Sequence, residues 1–242
     1  MSKRAALLAL VLVADWLCFL PIRLGYAPQH TSVGRVAMIS GSSLVLCAVA
    51  LAVALGRGLY TRAELGLEAT DFMKRRGLVG WRYTLLLAAI FIVAAVIHML
   101  PPINYSIVQG LSYADFVDEL RRHEWRSAFA RSEQPIDARD VVLVFLHSVV
   151  FAPVTEEIPY RALLVPVVLP RLGRHLTALA SGLVFFGLHT LIYGLTPAPD
   201  YFISGVAFAY AFMYAGLAGS ILCHAGGNFG IWLLAMFVEF WA

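Results

Sequence analysis

Long apolar runs separated by short polar connections set the pattern of this chain, and the runs are continuous rather than alternating. Runs of this length predict helices that cross a lipid bilayer, where each segment must satisfy its own backbone groups. The short alternating segments of a membrane barrel are a different pattern. The first run covers residues 5–20, contains Asp15, and ends at Pro21 and Arg23. The second covers 36–55 and is rich in serine and alanine; its stretch Ser40-Gly41-Ser42-Ser43 suits close contact with another helix. A polar connection over 56–82 carries Arg57, Arg62, Lys74, Arg75, Arg76 and Arg82. Within it, Leu65-Gly66-Leu67 ahead of Asp71-Phe72 and Arg75 predicts a short interfacial helix. The third run, 83–100, is expected to close at Pro101-Pro102.

The longest polar stretch is 103–140. Ser112 followed by Asp115 has the form of a helix cap, and Phe116, Leu120, Trp125 and Phe129 recur among Arg, Glu and Asp. This predicts an amphipathic helix on the membrane surface. A fourth run over 141–169 is interrupted by Pro153, Pro159 and Pro166, each of which frees a backbone carbonyl and bends the axis. Arg171 and Arg174 mark a turn, and further runs follow at 176–195, 201–217 and 220–240. The expected fold is all-α: a polytopic transmembrane helical bundle of about seven to eight spans. Residues 1–140 would supply the N-terminal spans and the surface segment, and 141–242 a helical core.

Composition agrees with the pattern. Of 242 residues 60% are apolar and only 14% charged, well away from a soluble domain. The small net charge of +3, with no basic stripe, argues against a nucleic-acid partner. The basic residues read instead as topology signals. The N-terminal tail, the 56–82 connection and the 171–174 turn fall on one side, which predicts a cytoplasmic N-terminus in a bacterial inner membrane. Lys3-Arg4 before an apolar run resembles a signal peptide, but without a small-x-small cleavage site the run reads as a retained span. Cys18, Cys47 and Cys223 all lie in apolar runs, are odd in number, and read as small buried hydrophobes.

The chemistry concentrates at Val154-Thr155-Glu156-Glu157-Ile158-Pro159-Tyr160-Arg161. Each charge at mid-bilayer depth costs roughly 2.5–3.5 kcal/mol, so Glu156, Glu157 and Arg161 are expected to pair or to work. Glu157 and Arg161 are four apart and share a helix face, whereas Glu156 points about 100° away. The arginine would hold one carboxylate and leave the other to act as a general base. The next run offers Phe185-Phe186-Gly187-Leu188-His189, in which Gly187 would admit a neighbouring backbone. The last offers His224-Ala225-Gly226-Gly227-Asn228, whose two donors share one face and suit a developing oxyanion. Zinc held by Glu156, His189 and His224 is the other chemistry open to these residues. His98 and His147 read as packed core histidines, and Asp15 as a snorkelling end residue or a partner for another helix.

Glu156-Glu157-x-x-x-Arg161, Phe185-x-x-x-His189 and His224-x-x-x-Asn228 resemble, in order and spacing, the three motifs of the CAAX prenyl protease 2 family. That family is also called the CPBP (CAAX protease and bacteriocin-processing) or Abi group. The resemblance covers about residues 141–240. It implies an intramembrane endopeptidase in which Glu156 and His189 activate water and His224 with Asn228 stabilises the oxyanion, supported by Glu157, Arg161 and Phe185. The family has been described both as metalloproteases and as glutamic-type enzymes. The absence of H-E-x-x-H and the poor ligand character of Asn228 favour the metal-free form, with no cofactor, and zinc stays open as the alternative.

The expected function is hydrolysis of membrane-tethered proteins or peptides, such as lipidated tails or bacteriocin-like precursors. Two rivals come from other classes: a proton-coupled transporter, for which buried Glu, Arg and His are also suitable parts, and a non-catalytic immunity or scaffold protein. Inverted repeats would mark a transporter, and none is visible. The sequence leaves the oligomeric state open.

Overall fold

The computed structural model describes residues 2–23, 33–108, 112, 115, 138–193 and 199–241, and every regular element among them is helical. Helix α1 (Lys3–Arg23) and α2 (Val33–Gly56) precede the five-residue α3 (Asp71–Arg75) and the long α4 (Trp81–Val108). A helical run then passes through α5 (Ala138–Phe145), the π-helical segment π1 (Leu146–Phe151), α6 (Ala152–Glu157), a second π segment π2 (Ile158–Leu163) and α7 (Leu164–Tyr193). The last helix is α8 (Pro199–Trp241).

Among the described residues, four helical stretches are long and apolar enough to cross a membrane: Ile39–Gly56, Trp81–Leu100, Val141–Leu191 and Asp200–Leu234. The last two hold 51 and 35 residues, against the roughly 20 that cover a hydrocarbon core. Each is broken by one glycine outside the helical region, Gly173 (φ 70°, ψ 177°) and Gly216 (φ 73°, ψ −169°). These breaks fall near the two expected turns between late runs. Helix α4 differs from expectation, because it continues past Pro101-Pro102 to Val108. Proline holds φ near −65°, a helical value, so it removes ladder donors without forcing the chain out of the helix. Most of the surface helix expected over 103–140 lies outside the described residues. At its start, Ser112 N–H donates to Asp115 Oδ2 (3.3 Å) and Asp115 N–H donates to Ser112 Oγ (3.2 Å), the reciprocal bonds expected of a cap.

The core forms where α1 and α2 meet π2, the start of α7 and the middle of α8. Leu8, Val11, Cys47, Ile158, Leu163 and Phe212 are among its buried members. Glycine sets the closest helix approaches. A Cβ on Gly226 or Gly230 of α8 would run into the carbonyl oxygens of Phe91 and Ala95, so α4 lies directly against that face. The small residues after His224 therefore serve backbone packing, and a Cβ on Gly227 would meet the His98 ring at 2.9 Å.

The break at Gly216 is clamped by the 57–80 connection. It leaves carbonyls without helical donors, and Thr70 Oγ1 donates to Tyr214 O (2.8 Å) while the Tyr83 hydroxyl donates to Ala215 O (2.9 Å). Leu217 N–H donates to Gly66 O at 3.0 Å. Gly66 itself has φ +69°, and a Cβ there would lie 2.6 Å from Leu217 N. Two left-handed glycines thus touch backbone to backbone. At the same end of the bundle, Arg4 forks onto Glu64 (2.7 and 3.2 Å) and stacks over Tyr60 at 4.8 Å. Burial raises the Glu64 carboxyl, but the Thr61 N–H and hydroxyl and the Arg4 guanidinium outweigh it and hold it below the ordinary 4.5.

Two predictions follow from these contacts. Gly66→Ala or Gly216→Ala forces a Cβ into an occupied, left-handed site and should destabilise the protein by about 1–3 kcal/mol. Gly41→Ala, which meets nothing within 4 Å, should be neutral or slightly stabilising. Thermal midpoints in detergent check both; equal midpoints for the Gly216 and Gly41 variants would count against the clamp. The Glu64 tie contributes above its unfolded pKa and is lost as pH falls through its lower folded value. Glu64→Gln should therefore lower the thermal midpoint at neutral pH, where the tie contributes about 1 kcal/mol or less, and the difference should shrink as pH falls below 4.5.

Candidate active site

Prolines build the frame of the site. In π1 the Ala152 N–H reaches back five residues to the His147 carbonyl. The same register would offer the Ser148 carbonyl the N–H of residue 153, and that residue is proline. Asn228 of α8 fills the gap, its Nδ2 donating to Ser148 O at 2.7 Å. Pro159 likewise leaves the Thr155 carbonyl without its α-helical donor, and the Cys47 thiol of α2 donates to it at 3.2 Å. Two partner helices are thus bonded to backbone set free by prolines on either side of Glu156 and Glu157.

The two glutamates divide as their phase requires. Glu157 and Arg161 are both 0% exposed, and Arg161 Nε lies 3.2 Å from Glu157 Oε2. Arg161 Nη2 donates to Gly205 O (3.2 Å), and its guanidinium lies 4.7 Å from the Phe185 ring and 5.3 Å from that of Phe208. Aromatic faces are favourable surroundings for a desolvated cation. Gly205 comes within reach because α7 and α8 touch there: a Cβ on Gly205 would lie 2.9 Å from Gly182 Cα. Gly187, expected to admit a neighbouring backbone, does not; a Cβ there would meet nothing within 4 Å. It lies one helical turn from the exposed Leu183 and Leu191, on the outer face of α7.

Glu156 keeps 14% of its side chain exposed, and both histidines turn toward it. Its Oε2 lies 3.4 Å from His189 Nε2 and 4.0 Å from His224 Nε2, without a well-aligned hydrogen bond of its own. The other ring nitrogens are already committed. His189 Nδ1 is 2.8 Å from the Phe185 carbonyl and His224 Nδ1 is 3.0 Å from Glu157 Oε1. A carbonyl or carboxylate oxygen only accepts, so both Nδ1 atoms carry the proton. Both Nε2 atoms therefore face Glu156, each presenting a lone pair when the ring is neutral and an N–H when it is charged. Aromatic rings fix these orientations: His189 stacks on Tyr201 (4.7 Å between centroids) and His224 on Phe208 (4.5 Å).

The structure thus brings Glu156, His189 and His224 to one point. It ties Asn228 to π1, and sets Glu157 with Arg161 behind. His98 and His147 bond serines, Ser204 and Ser40, both at 3.0 Å, as packed histidines do. Sequence reasoning missed that Glu157 holds His224 as well as Arg161, since the partners lie 67 positions apart. It also missed Tyr160, Tyr201 and Phe208 as walls of the site; their only signal was aromatic character near the motifs. Asp15 proves to be buried at 5% exposure, and Ser43 Oγ donates to it at 3.4 Å.

Residues 138–230 match the family model described as Rce1-like, type II CAAX prenyl endopeptidase. No curated protein matches the chain, and no solved structure does. The matched stretch holds all three motifs and every side chain that meets at Glu156. Over this stretch, less than half of the chain, the sequence is similar to the Rce1-like CAAX prenyl endopeptidases, which supports the CAAX protease (CPBP) resemblance of the three motifs.

Proposed function

We propose that this protein hydrolyses peptide bonds of membrane-tethered substrates, using a water activated by Glu156 and His189. The carrying observation is the convergence of Glu156 Oε2 with the Nε2 atoms of two buried imidazoles, with Glu156 itself 14% exposed. Lone pairs so placed repel one another unless a proton or a water hydrogen lies between them. A water bonded to Glu156 and His189 meets that need, and it is the nucleophile that hydrolysis requires.

The steps balance on the protein's own groups. Glu156 takes a proton from the water as the oxygen bonds to the substrate carbonyl carbon, and the carbonyl electron pair moves onto its oxygen. His224, held at Nδ1 by Glu157, donates from Nε2–H as an imidazolium to that oxyanion. The Asn228 amide has a second N–H beside the one given to Ser148, available to the same oxyanion. As the C–N bond breaks, the proton passes by way of His189 to the leaving nitrogen. Buried Glu157 and Arg161 hold His224 and the π2 segment in place.

Zinc is the alternative chemistry for Glu156, His189 and His224. Ligands sharing one tetrahedral zinc at about 2.0–2.2 Å lie roughly 3.3–3.6 Å apart. The 3.4 Å Glu156–His189 separation meets this, and the 4.0 Å Glu156–His224 separation exceeds it. The described residues contain no cluster of three His, Cys, Asp or Glu side chains disposed to hold a metal ion. The donor set fits zinc poorly. We also read the bundle as seven spans, with Gly173 and Gly216 each turning one span into the next. The family resemblance supports membrane-tethered substrates, such as lipidated tails or bacteriocin-like precursors.

In vesicles carrying a prenylated peptide, Glu156→Gln and His189→Ala should each lower kcat by about 10²–10⁴-fold. His224→Ala should lose about 10²–10³-fold, mainly in kcat. Full activity in the Glu156 variant would sink the reading. Dialysis against a zinc chelator should leave the wild-type rate unchanged, and a loss restored by added zinc would reassign the chemistry to the metal. Arg161→Met leaves Glu157 buried without its cation; it should cost about 3–5 kcal/mol and appear as a lower yield of folded protein rather than a changed KM.

A further inference from the structure

Asp15 is a buried carboxylate that the reaction above does not use. An acidic group inside a spanning helix is costly and calls for a reason. It belongs to the inward stripe of α1: Leu8 and Val11 are buried in the core, and Leu12 packs against the Tyr160, Phe185 and Phe208 cluster at the site. Asp15 follows Leu12 by three positions and so continues toward that cluster. Its neighbours come from every helix around it. Ser43 of α2 donates to Oδ1 at 3.4 Å, the Tyr160 hydroxyl of π2 is within hydrogen-bonding reach, and Glu156 and His189 lie close enough to act on it electrostatically. Cys47, one turn beyond Ser43 on α2, bonds the Thr155 carbonyl next to Glu156. Asp15 therefore stands where α1 and α2 close the site from outside the 138–230 stretch.

We propose that Asp15 is a positioning residue for the Glu156–His189 pair, acting through Tyr160. This rests on the peptidase reading. Ser43 Oγ donates to Asp15 Oδ1, and the Tyr160 hydroxyl is its other hydrogen-bond partner. Tyr160 lies between Glu157 and Arg161 in sequence, its ring meets Phe185 edge-on at 5.4 Å, and its carbonyl accepts from Ser181. Fixing its hydroxyl steadies the π2 turn that directly follows Glu156 and Glu157. An asparagine has the same shape but presents two N–H donors, so a neighbouring donor must turn away.

The test compares wild type, Asp15→Asn, Asp15→Glu and Glu156→Gln on a prenylated peptide in vesicles, with thermal midpoints measured alongside. Asp15→Asn should lower kcat by about tenfold or more with KM within about twofold, and Asp15→Glu should restore part of the loss. Combining Asp15→Asn with Tyr160→Phe should add less than the sum of the single losses. The second readout is the His189 ring resonance in histidine-labelled protein in nanodiscs, assigned by its disappearance in His189→Gln. Asp15→Asn should displace it. If wild type cleaves the peptide and Asp15→Asn matches its kcat, the proposal is overturned while the peptidase reading stands. If wild type itself does not cleave, the peptidase reading fails on this substrate, and an unmoved His189 resonance then overturns the role of Asp15 separately.

Discussion

Glu157 and Arg161 form an ion pair with no exposed surface, and the surrounding structure is arranged to supply what water would have given them. A buried pair of this kind rarely adds net stability, because desolvation offsets the attraction, but losing one partner strands the other. The second oxygen of Glu157 takes His224, the guanidinium takes the Gly205 carbonyl, and the faces of Phe185 and Phe208 flank its charge. These partners come from α7 and α8, so the pair determines how the late helices meet. The close contact of Gly182 with Gly205 and the ring stack of Phe208 on His224 follow from the same requirement.

The prolines make the other half of the arrangement. An unbroken α-helix would satisfy every carbonyl from within and give α2 and α8 no polar purchase. Removing donors at Pro153 and Pro159 leaves the Ser148 and Thr155 carbonyls for Asn228 and Cys47. Polar contacts between helices replace apolar attraction, which is weak where the solvent is itself lipid. The Gly216 break works the same way at the end of the bundle, where Thr70, Tyr83 and Gly66 take up the freed backbone groups. In both places an interrupted helix is where another element docks.

Local features were legible in the sequence. The continuous apolar runs predicted helices, the four-residue spacing predicted the Glu157–Arg161 pair, and Ser112 with Asp115 predicted a cap. The three late motifs marked Glu156, His189, His224 and Asn228 in order. What the sequence could not show depends on contacts between distant positions. Which His224 nitrogen meets which carboxylate is a tertiary fact, and so is the choice of Gly182 over Gly187 as the point where backbones touch. Prolines at 153 and 159 were visible, but the assignment of the Ser148 and Thr155 carbonyls to Asn228 and Cys47 requires the neighbours in place. Asp15 stood out as a charge in an apolar run, and only packing decided between a snorkelling end and a partner for another helix.

The central claim is that the three side chains meeting at Glu156 cut peptide bonds. The most direct measurement compares membrane and secreted peptides from cells expressing, at matched levels, wild type, Glu156→Gln or His189→Ala. The account predicts a set of C-terminal or precursor fragments that appears with wild type and is missing from both variants, and whose ends define the substrate. Indistinguishable peptide sets, with the protein's cellular effect intact in the variants, would contradict it and leave a non-catalytic membrane protein built on the same fold.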